Sequence, residues 1–423
     1  IKINLDDRVY FPHSLGIFYQ ALTQYLGFNN YGDEYKIMGL APYGKPIYIE
    51  QMRKIVRLKK DGKYMLNLDY FRHHSKKIDY KWDGGSPQTG ILFSNKLEKF
   101  LGPARKKNEE LTQFHKDIAH SVQAMYEEAF FNLLNNLHKK YKLDNLAIAG
   151  GCAMNSVANG KVILNTPFKK IYVQAAAGDA GGAIGAALTT WYSMDNVKNK
   201  KQKNSHDHAY WGPSFTDEYI GKLLNIQKDI IKEQNCIVEK FTDFLKITQI
   251  TAKEIAKGKV IGWFQGKMEW GPRSLGNRSI VCDPRRSNMK DILNLKIKRR
   301  ESFRPFAPSI LNEEVSKWFE QDGDVPFMMQ VYQITKDKRA KIPAVTHVDG
   351  SGRLQTVNVK TNPRYYALIK EFEKITGIPI VLNTSFNENE PVVCKPEEAL
   401  KTFLRTKMDM LVMGNWIIKR NNR

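Results

Sequence analysis

The sequence predicts an α/β protein in two parts, and three observations carry that prediction. Units of strand, glycine turn and helix recur before residue 195, a polar basic stretch without hydrophobic periodicity follows, and a second series of strands and helices comes after it. At 423 residues the chain exceeds the roughly 150 of one typical domain, so two or three cores are expected. A hydrophobic fraction of 42% and an aromatic fraction of 11% belong to a globular chain, not a disordered one.

The chain opens at Ile1 in a strand or loop over residues 1–5. Ile118, Val122, Met125, Ala129, Leu133 and Leu137 recur at helical spacing and predict an amphipathic helix over 111–140, with Lys139, Lys140 and Lys142 at its negative end. A short buried strand over 146–149 runs into Gly150-Gly151 and a helix over 154–162. The logic repeats in a strand over 171–174, a loop over 175–179 and a helix over 181–192. Residues 195–208, with Lys200, Lys201 and Lys203, read as the linker. The expected division is 1–195, a linker over 196–209, and 210–423. In the second part a helix over 251–257 precedes a strand over 260–264, a strand over 378–382 enters Asn383-Thr-Ser-Phe-Asn387, and Pro396-Glu-Glu opens a helix. No internal repeat or coiled-coil heptad is present.

The formal net charge is +22. That excess suits nucleic acid, and equally suits small polyanions such as nucleotides and acyl phosphates, over a background of solvated lysines. Cys152, Cys236, Cys282 and Cys394 are widely spaced with no C-x-x-C, which argues against zinc ribbons and disulfide frameworks and fits a reducing cytoplasm. No apolar run approaches the roughly 20 residues that span a bilayer, so no membrane partner is expected.

Two blocks concentrate the chemistry. Gly266-Lys-Met-Glu-Trp-Gly-Pro-Arg-Ser-Leu-Gly-Asn-Arg278 and Lys298-Arg-Arg-Glu-Ser-Phe-Arg-Pro-Phe-Ala-Pro308 set cations beside glycine and proline. Guanidiniums on such a rigid frame make a bidentate receptor for phosphate or carboxylate. Lys298 alone has a second reading as part of a solvated charge run; Arg273 and Arg304, each against a proline, do not. Gly150-Gly-Cys-Ala-Met-Asn155 reads as a phosphate-approach turn or a plain tight turn. In Ala175-Ala-Ala-Gly-Asp-Ala-Gly-Gly-Ala-Ile-Gly-Ala-Ala187 the surroundings of Asp179 are too apolar for a surface loop. A buried carboxylate there would contact a metal or ligand, and an N-cap role is the alternative.

Two phosphate-approach turns separated by a helix resemble the nucleotide fold of actin, heat-shock chaperones and sugar kinases. Phe11-Pro-His-Ser-Leu-Gly16, Asp33-Glu-Tyr-Lys-Ile-Met-Gly-Leu-Ala-Pro-Tyr-Gly44, the two glycine-rich turns, Glu269-Trp-Gly-Pro-Arg-Ser-Leu-Gly276, the block ending at Pro308, His347-Val-Asp-Gly350 with Arg353 and Gln355, and Asn383-Thr-Ser-Phe-Asn387 then resemble the NodU/CmcH carbamoyltransferases, in the family's order. The resemblance implies an N-terminally incomplete actin-like (ASKHA) domain followed by a YrdC-like α/β domain. It implies that the YrdC-like part makes carbamoyl-adenylate from carbamoyl phosphate and ATP, and that the actin-like part passes the carbamoyl group to a hydroxyl of a small-molecule or sugar acceptor.

By the same resemblance Arg273, Lys298, Arg304, Arg353, Asn383 and Ser385 form the anion site; Gly150, Gly151, Asn155, Asn159, Gly178 and Gly181 hold nucleotide; and Asp179 ligates a divalent metal, iron by family expectation. His13, Lys36 and Asp69 fall in the segment used around the acceptor, although His13 beside Pro12 also reads as structural. The family's upstream His-x-x-x-His pair and first phosphate loop do not precede Phe11; His73-His74, His115 with His120, and His206 with His208 lack that spacing. Truncation is the expected reason, with weak metal binding as its consequence. The acceptor stays open among aminoglycosides, cephems, chitooligosaccharides and other polyols. A tRNA threonylcarbamoylation-type factor and a basic non-enzymatic nucleic-acid-binding protein are the competing readings. Pockets locked by proline speak against the second, which needs exposed aromatic platforms, so nucleic acid is not expected as a partner.

Overall fold

The computed structural model describes residues 4–82, 86–194, 207–298, 301–388 and 390–421. The chain divides into two compact units: Ile1–Val173 with Gly182–Asn199, and Gln174–Gly181 with Lys200–Arg423. The expected linker lies outside the described residues over 196–206, as do His206, Arg299 and Arg300, and so do the first three residues of the expected strand or loop at 1–5.

In the first unit the helix Leu15–Tyr25 starts at Ser14, whose Oγ accepts the Ile17 N–H at 3.3 Å. Phe18, Leu22 and Tyr25 on this helix are fully buried. The long helix Gln113–Tyr141 forms where its periodicity predicts, with Ile118, Val122, Met125 and Ala129 buried on one stripe. It ends with basic residues in its last turn and a left-handed Lys142 at φ 52. The strands Asn145–Ile148 and Lys170–Val173 pair in parallel, and the first is exposed or half-buried at every residue, not buried as expected. The helix expected over 154–162 is broken instead into a 3-10 turn, Gly151–Met154, and two short helices, Ser156–Gly160 and Val162–Asn165. Asn155 takes a non-helical backbone and uses its side chain to cap the helix after it, so one helix cannot run through.

The second unit is built on an eight-stranded mixed sheet. Its order across the sheet is Gln355–Val357, Ala307–Leu311, Ile380–Ser385, Arg278–Cys282, Ile261–Phe264, Met410–Met413, Trp416–Arg420 and Cys236–Lys240. Only the first pair and the pair of Ile261–Phe264 with Met410–Met413 are parallel. The strands Ile261–Phe264, Arg278–Cys282, Ala307–Leu311 and Met410–Met413 are buried at every residue, as strands covered on both faces must be. The helices Phe244–Ala256, Pro363–Thr376 and Pro396–Arg405 pack around them. The first of these begins seven residues before the helix expected at 251. The β-branched run Ile247-Thr248-Gln-Ile250-Thr251 hides its helical pattern, yet Ile247, Thr248, Thr251, Ala252 and Ile255 bury one face, and Asp243 caps it through the Leu245 N–H at 2.8 Å. This is a mixed α/β protein with a large mixed sheet. All four cysteines are free thiols.

Candidate functional site

Register gathers the expected anion-binding residues of the second unit at one end of its sheet. Ala307 lies opposite Asn383, and Ser309 opposite Gln355. Arg304, Arg353 and Ser385 therefore leave their strands on the same side, two or three residues beyond those pairs. The Gln265–Asn277 connection joins them there: Asn383 donates its amide to the Ser274 carbonyl at 3.1 Å, and Gln355 donates to the Leu275 carbonyl at 2.7 Å. Asn383 also donates to Ser309 Oγ and to Gln355 Oε1, at 3.1 and 3.0 Å. Arg273, Arg304 and Arg353 are half-buried.

Lys298 is 2% exposed, so its reading as a solvated charge is overturned. Its ammonium donates to the Ser385 carbonyl at 2.6 Å, to Ser385 Oγ at 3.2 Å, and to the Asn387 carbonyl and Oδ1 at 2.6 and 2.8 Å. It clamps the 385–387 turn and carries its charge into the floor of the site. Asn383 and Ser385, expected as direct contacts, are likewise engaged with protein and position the loops around them.

Glu269 and Arg278 explain why the first basic block is rigid. Glu269 Oε1 accepts the N–H groups of Leu275, Asn277 and Arg278 at 2.8, 2.7 and 3.1 Å. Gly276 sits at φ 101, and a Cβ there would come within 2.1 Å of the Tyr365 ring, so only glycine serves. Arg278 is fully buried; its guanidinium stacks 3.6 Å from the Phe264 centroid and donates to the carbonyls of Gln265, Pro213 and Cys394. Burial pulls its pKa down to about 10, despite the opposing pull of Glu269. The sequence reading singled out neither role. The glutamate-to-glycine spacing of a self-capping loop was the signal that could have found them.

At the same end, Asp349 accepts from the N–H and Oγ of Ser351 at 3.0 and 2.6 Å and lies 3.6 Å from His347. Burial raises its carboxyl, but the hydrogen bonds from His347 and Ser351 outweigh that and bring it down to about 2.

In the first unit the Gly150–Asn155 turn presents its backbone. Gly150 is at φ 101, and added Cβ atoms at Gly150 and Gly151 would meet open space. Its carbonyls are drawn inward: Tyr126 donates to the Cys152 oxygen at 2.9 Å and Asn159 to the Ala153 oxygen at 2.8 Å. Asn155 exchanges amide hydrogen bonds with Gln123 at 3.0 and 3.2 Å while capping the Ala158 N–H. Asn155 and Asn159 thus shape the turn. In the 174–181 segment, which groups with the second unit, Gly181 donates its N–H to the Gly178 carbonyl at 3.1 Å, and a Cβ at Gly181 would lie 2.2 Å from the Ala176 oxygen.

Asp179 is exposed, and the expectation of a buried carboxylate is corrected: burial stops at Ala177. Among the described residues no three His, Cys, Asp or Glu side chains lie close enough to share an ion. The described residues alone therefore supply no cluster of three such ligands around Asp179.

The three acceptor candidates do not converge. His13 lines a cleft of about 530 Å³ with Phe11, Tyr64, His73, Lys76 and Tyr80. Lys36 instead pairs with Asp33 at 3.0 Å over the Phe28 ring, and the exposed Asp69 pairs with Lys96 at 3.3 Å. Lys76 and the tyrosines escaped the sequence reading, and His73 was noted only in a close histidine pair, because no local spacing links residue 13 to residues 64–80.

Comparison with known proteins finds two family models along the chain. A family model described as "Carbamoyltransferase N-terminus" matches residues 2–188, and one described as "Carbamoyltransferase C-terminus" matches residues 252–420. An uncharacterized protein of Synechocystis sp. is 41% identical over 98% of this chain and 68% of its own length. Nodulation protein NolO of Bradyrhizobium diazoefficiens is 39% identical over 97% of this chain and 70% of its own. Nodulation protein NolNO of Sinorhizobium fredii is 38% identical over 97% of this chain and 56% of its own. Among the described residues no helix is long and apolar enough to cross a membrane.

Proposed function

The chain belongs to the carbamoyltransferase family, and from that premise we propose that its second unit forms carbamoyl-adenylate from carbamoyl phosphate and ATP and its first unit passes the carbamoyl group to an acceptor hydroxyl. The observation that carries this reading is the assembly of Arg273, Arg304 and Arg353 at one end of the sheet, over the buried ammonium of Lys298. Two polyanions repel one another in water. Cations held on a rigid frame offset that repulsion, and offset the charge that builds at the α-phosphorus as pyrophosphate leaves.

Water hydrolyses carbamoyl phosphate to carbamate and phosphate, a carbamate oxygen attacks the α-phosphorus of ATP, and pyrophosphate departs. The acceptor oxygen then attacks the carbamoyl carbon and AMP leaves. The open Gly150–Asn155 backbone suits the phosphate of that second step. Gly178 and Gly181 are further candidates for nucleotide contact. The test is pyrophosphate exchange into ATP, which should require carbamoyl phosphate and fall in Arg273→Ala and Arg304→Ala. Exchange at an unchanged rate in both variants would refute the assignment.

A nucleic-acid-binding reading finds less support. Of the aromatics near the arginines, Phe303 and Phe306 are buried and Trp270 is 38% exposed, so one ring and not a series of them is open to a stacked base. Matches to both carbamoyltransferase models likewise favour small-molecule transfer over a tRNA threonylcarbamoylation role.

A further inference from the structure

The turn His347-Val-Asp-Gly350 leads into Arg353, and its histidine reaches back to the segment that carries Arg304. The back of the turn is fixed. Gly350 sits at φ 82, where a Cβ would come within 2.2 Å of the Arg339 guanidinium carbon, and Lys290 donates to the Thr346 carbonyl at 3.2 Å. The His347 N–H donates to the Ser351 carbonyl at 2.8 Å, and the Gly350 N–H to the His347 carbonyl at 2.9 Å. Ser351 and Gly352 pair with the strand Tyr332–Gln333, and Arg353 follows directly. The main chain of His347 is thus tied to the strand from which Arg353 departs.

Its side chain points to the other arginine. Nε2 lies 3.4 Å from the carbonyl of Phe303, 44 positions earlier and immediately before Arg304. A carbonyl only accepts, so that nitrogen carries a proton. Asp349 Oδ1, 3.6 Å from Nδ1, is an acceptor too, and Ser351 Oγ holds the same oxygen at 2.6 Å. With a proton on each nitrogen the ring meets both partners. The ring is also packed in place, at 7% exposure for the residue. Arg304 is closed on its own loop by Glu301, whose carbonyl accepts the Arg304 N–H at 3.2 Å and whose carboxylate accepts the guanidinium at 3.3 Å. A carbonyl held at residue 303 therefore fixes the direction in which that loop presents its arginine. Two guanidiniums share one polyanion only when their separation is set beforehand.

We propose that His347 is a positioning residue of the anion site: by clasping the Phe303 carbonyl from the turn that leads into Arg353, it sets Arg304 and Arg353 relative to one another. Its part in adenylation rests on the carbamoyl-adenylate reading; its part in aiming the arginines does not. The test is a double-mutant cycle in the full chain, read by calorimetric binding of pyrophosphate and, separately, by carbamoyl-phosphate-dependent exchange. In His347→Gln the amide nitrogen takes the place of Nε2 and keeps the bond to Phe303, so both readouts should stay within about threefold of wild type. In His347→Asn the amide nitrogen takes the place of Nδ1 and falls short of Phe303, so both should drop about tenfold. In the Arg304→Ala background the same Asn substitution should cost less than about twofold, because the guanidinium it aims is gone. Urea midpoints on each variant separate this from a general loss of stability. If His347→Asn is unfolded by circular dichroism, His347→Leu, which also lacks the donor, takes its place in the cycle. Additive losses in the cycle, or Gln and Asn variants that behave alike, would overturn the proposal and leave adenylation standing. A wild type that binds pyrophosphate without exchanging it would refute adenylation alone, with the positioning role judged on binding; one that does neither would overturn both.

Discussion

Asn383 donates its side-chain amide to the Ser274 carbonyl at 3.1 Å, so a strand in the sheet interior holds the loop that carries Arg273. The arginine next to that bond has its backbone set by the sheet together with the Glu269 cap of its own loop. Fixed cations of this kind lose little on binding an anion.

Arg273→Ala and Arg304→Ala should each reduce carbamoyl-phosphate-dependent pyrophosphate exchange by about ten- to a hundredfold, corresponding to about 1.5–3 kcal/mol for a charge-assisted contact. Neither should shift the urea midpoint appreciably, since both side chains are half-buried at the rim. Exchange and denaturation curves on the same preparations separate the two effects.

Lys298→Met should behave differently. It leaves the Ser385 and Asn387 oxygens without their buried donor, at a cost of about 1–3 kcal/mol in stability. Exchange should fall as well, because the 385–387 turn is released. A variant with wild-type stability would show that the clamp is dispensable.

Asp349 provides a pH signature. Its folded pKa of about 2 lies below the usual carboxylate value of 3.8, so its contribution is fully present above the unfolded pKa. That contribution is lost as pH falls through the folded value. The side chain is 39% exposed, and screening trims the effect to about 1 kcal/mol. Urea titrations of wild type and Asp349→Asn should differ at pH 6 and converge between pH 4 and pH 2.

Asp179→Ala should abolish carbamoyl transfer to an acceptor while sparing pyrophosphate exchange. Loss of both activities in a folded variant would remove the assignment of Asp179 to the transfer step. Metal analysis bears on the same residue: with one exposed carboxylate as its candidate ligand, iron should be held weakly by this 423-residue chain. A tightly bound stoichiometric ion would contradict that.

The helix Gln113–Tyr141 was legible from its apolar repeat, the strand Ile261–Phe264 from its apolar run, and the strand Asn145–Ile148 and helix Gly181–Ser193 from the glycine turns beside them. The break at Asn155 was not. It depends on Gln123, 32 positions earlier, meeting that side chain.

The sequence by itself determined the α/β class, the two cation-rich blocks and the family resemblance, because composition, periodicity and proline-locked motifs are local. Only the tertiary structure decided which polar residues face a ligand and which hold the frame. It buried Lys298 and Arg278, exposed Asp179, sent Lys36 and Asp69 to separate ion pairs, and brought His73 beside His13. The physical reason is common to all of them: burial and hydrogen-bond partnership depend on which distant segments pack together, and no residue's neighbours in sequence specify that.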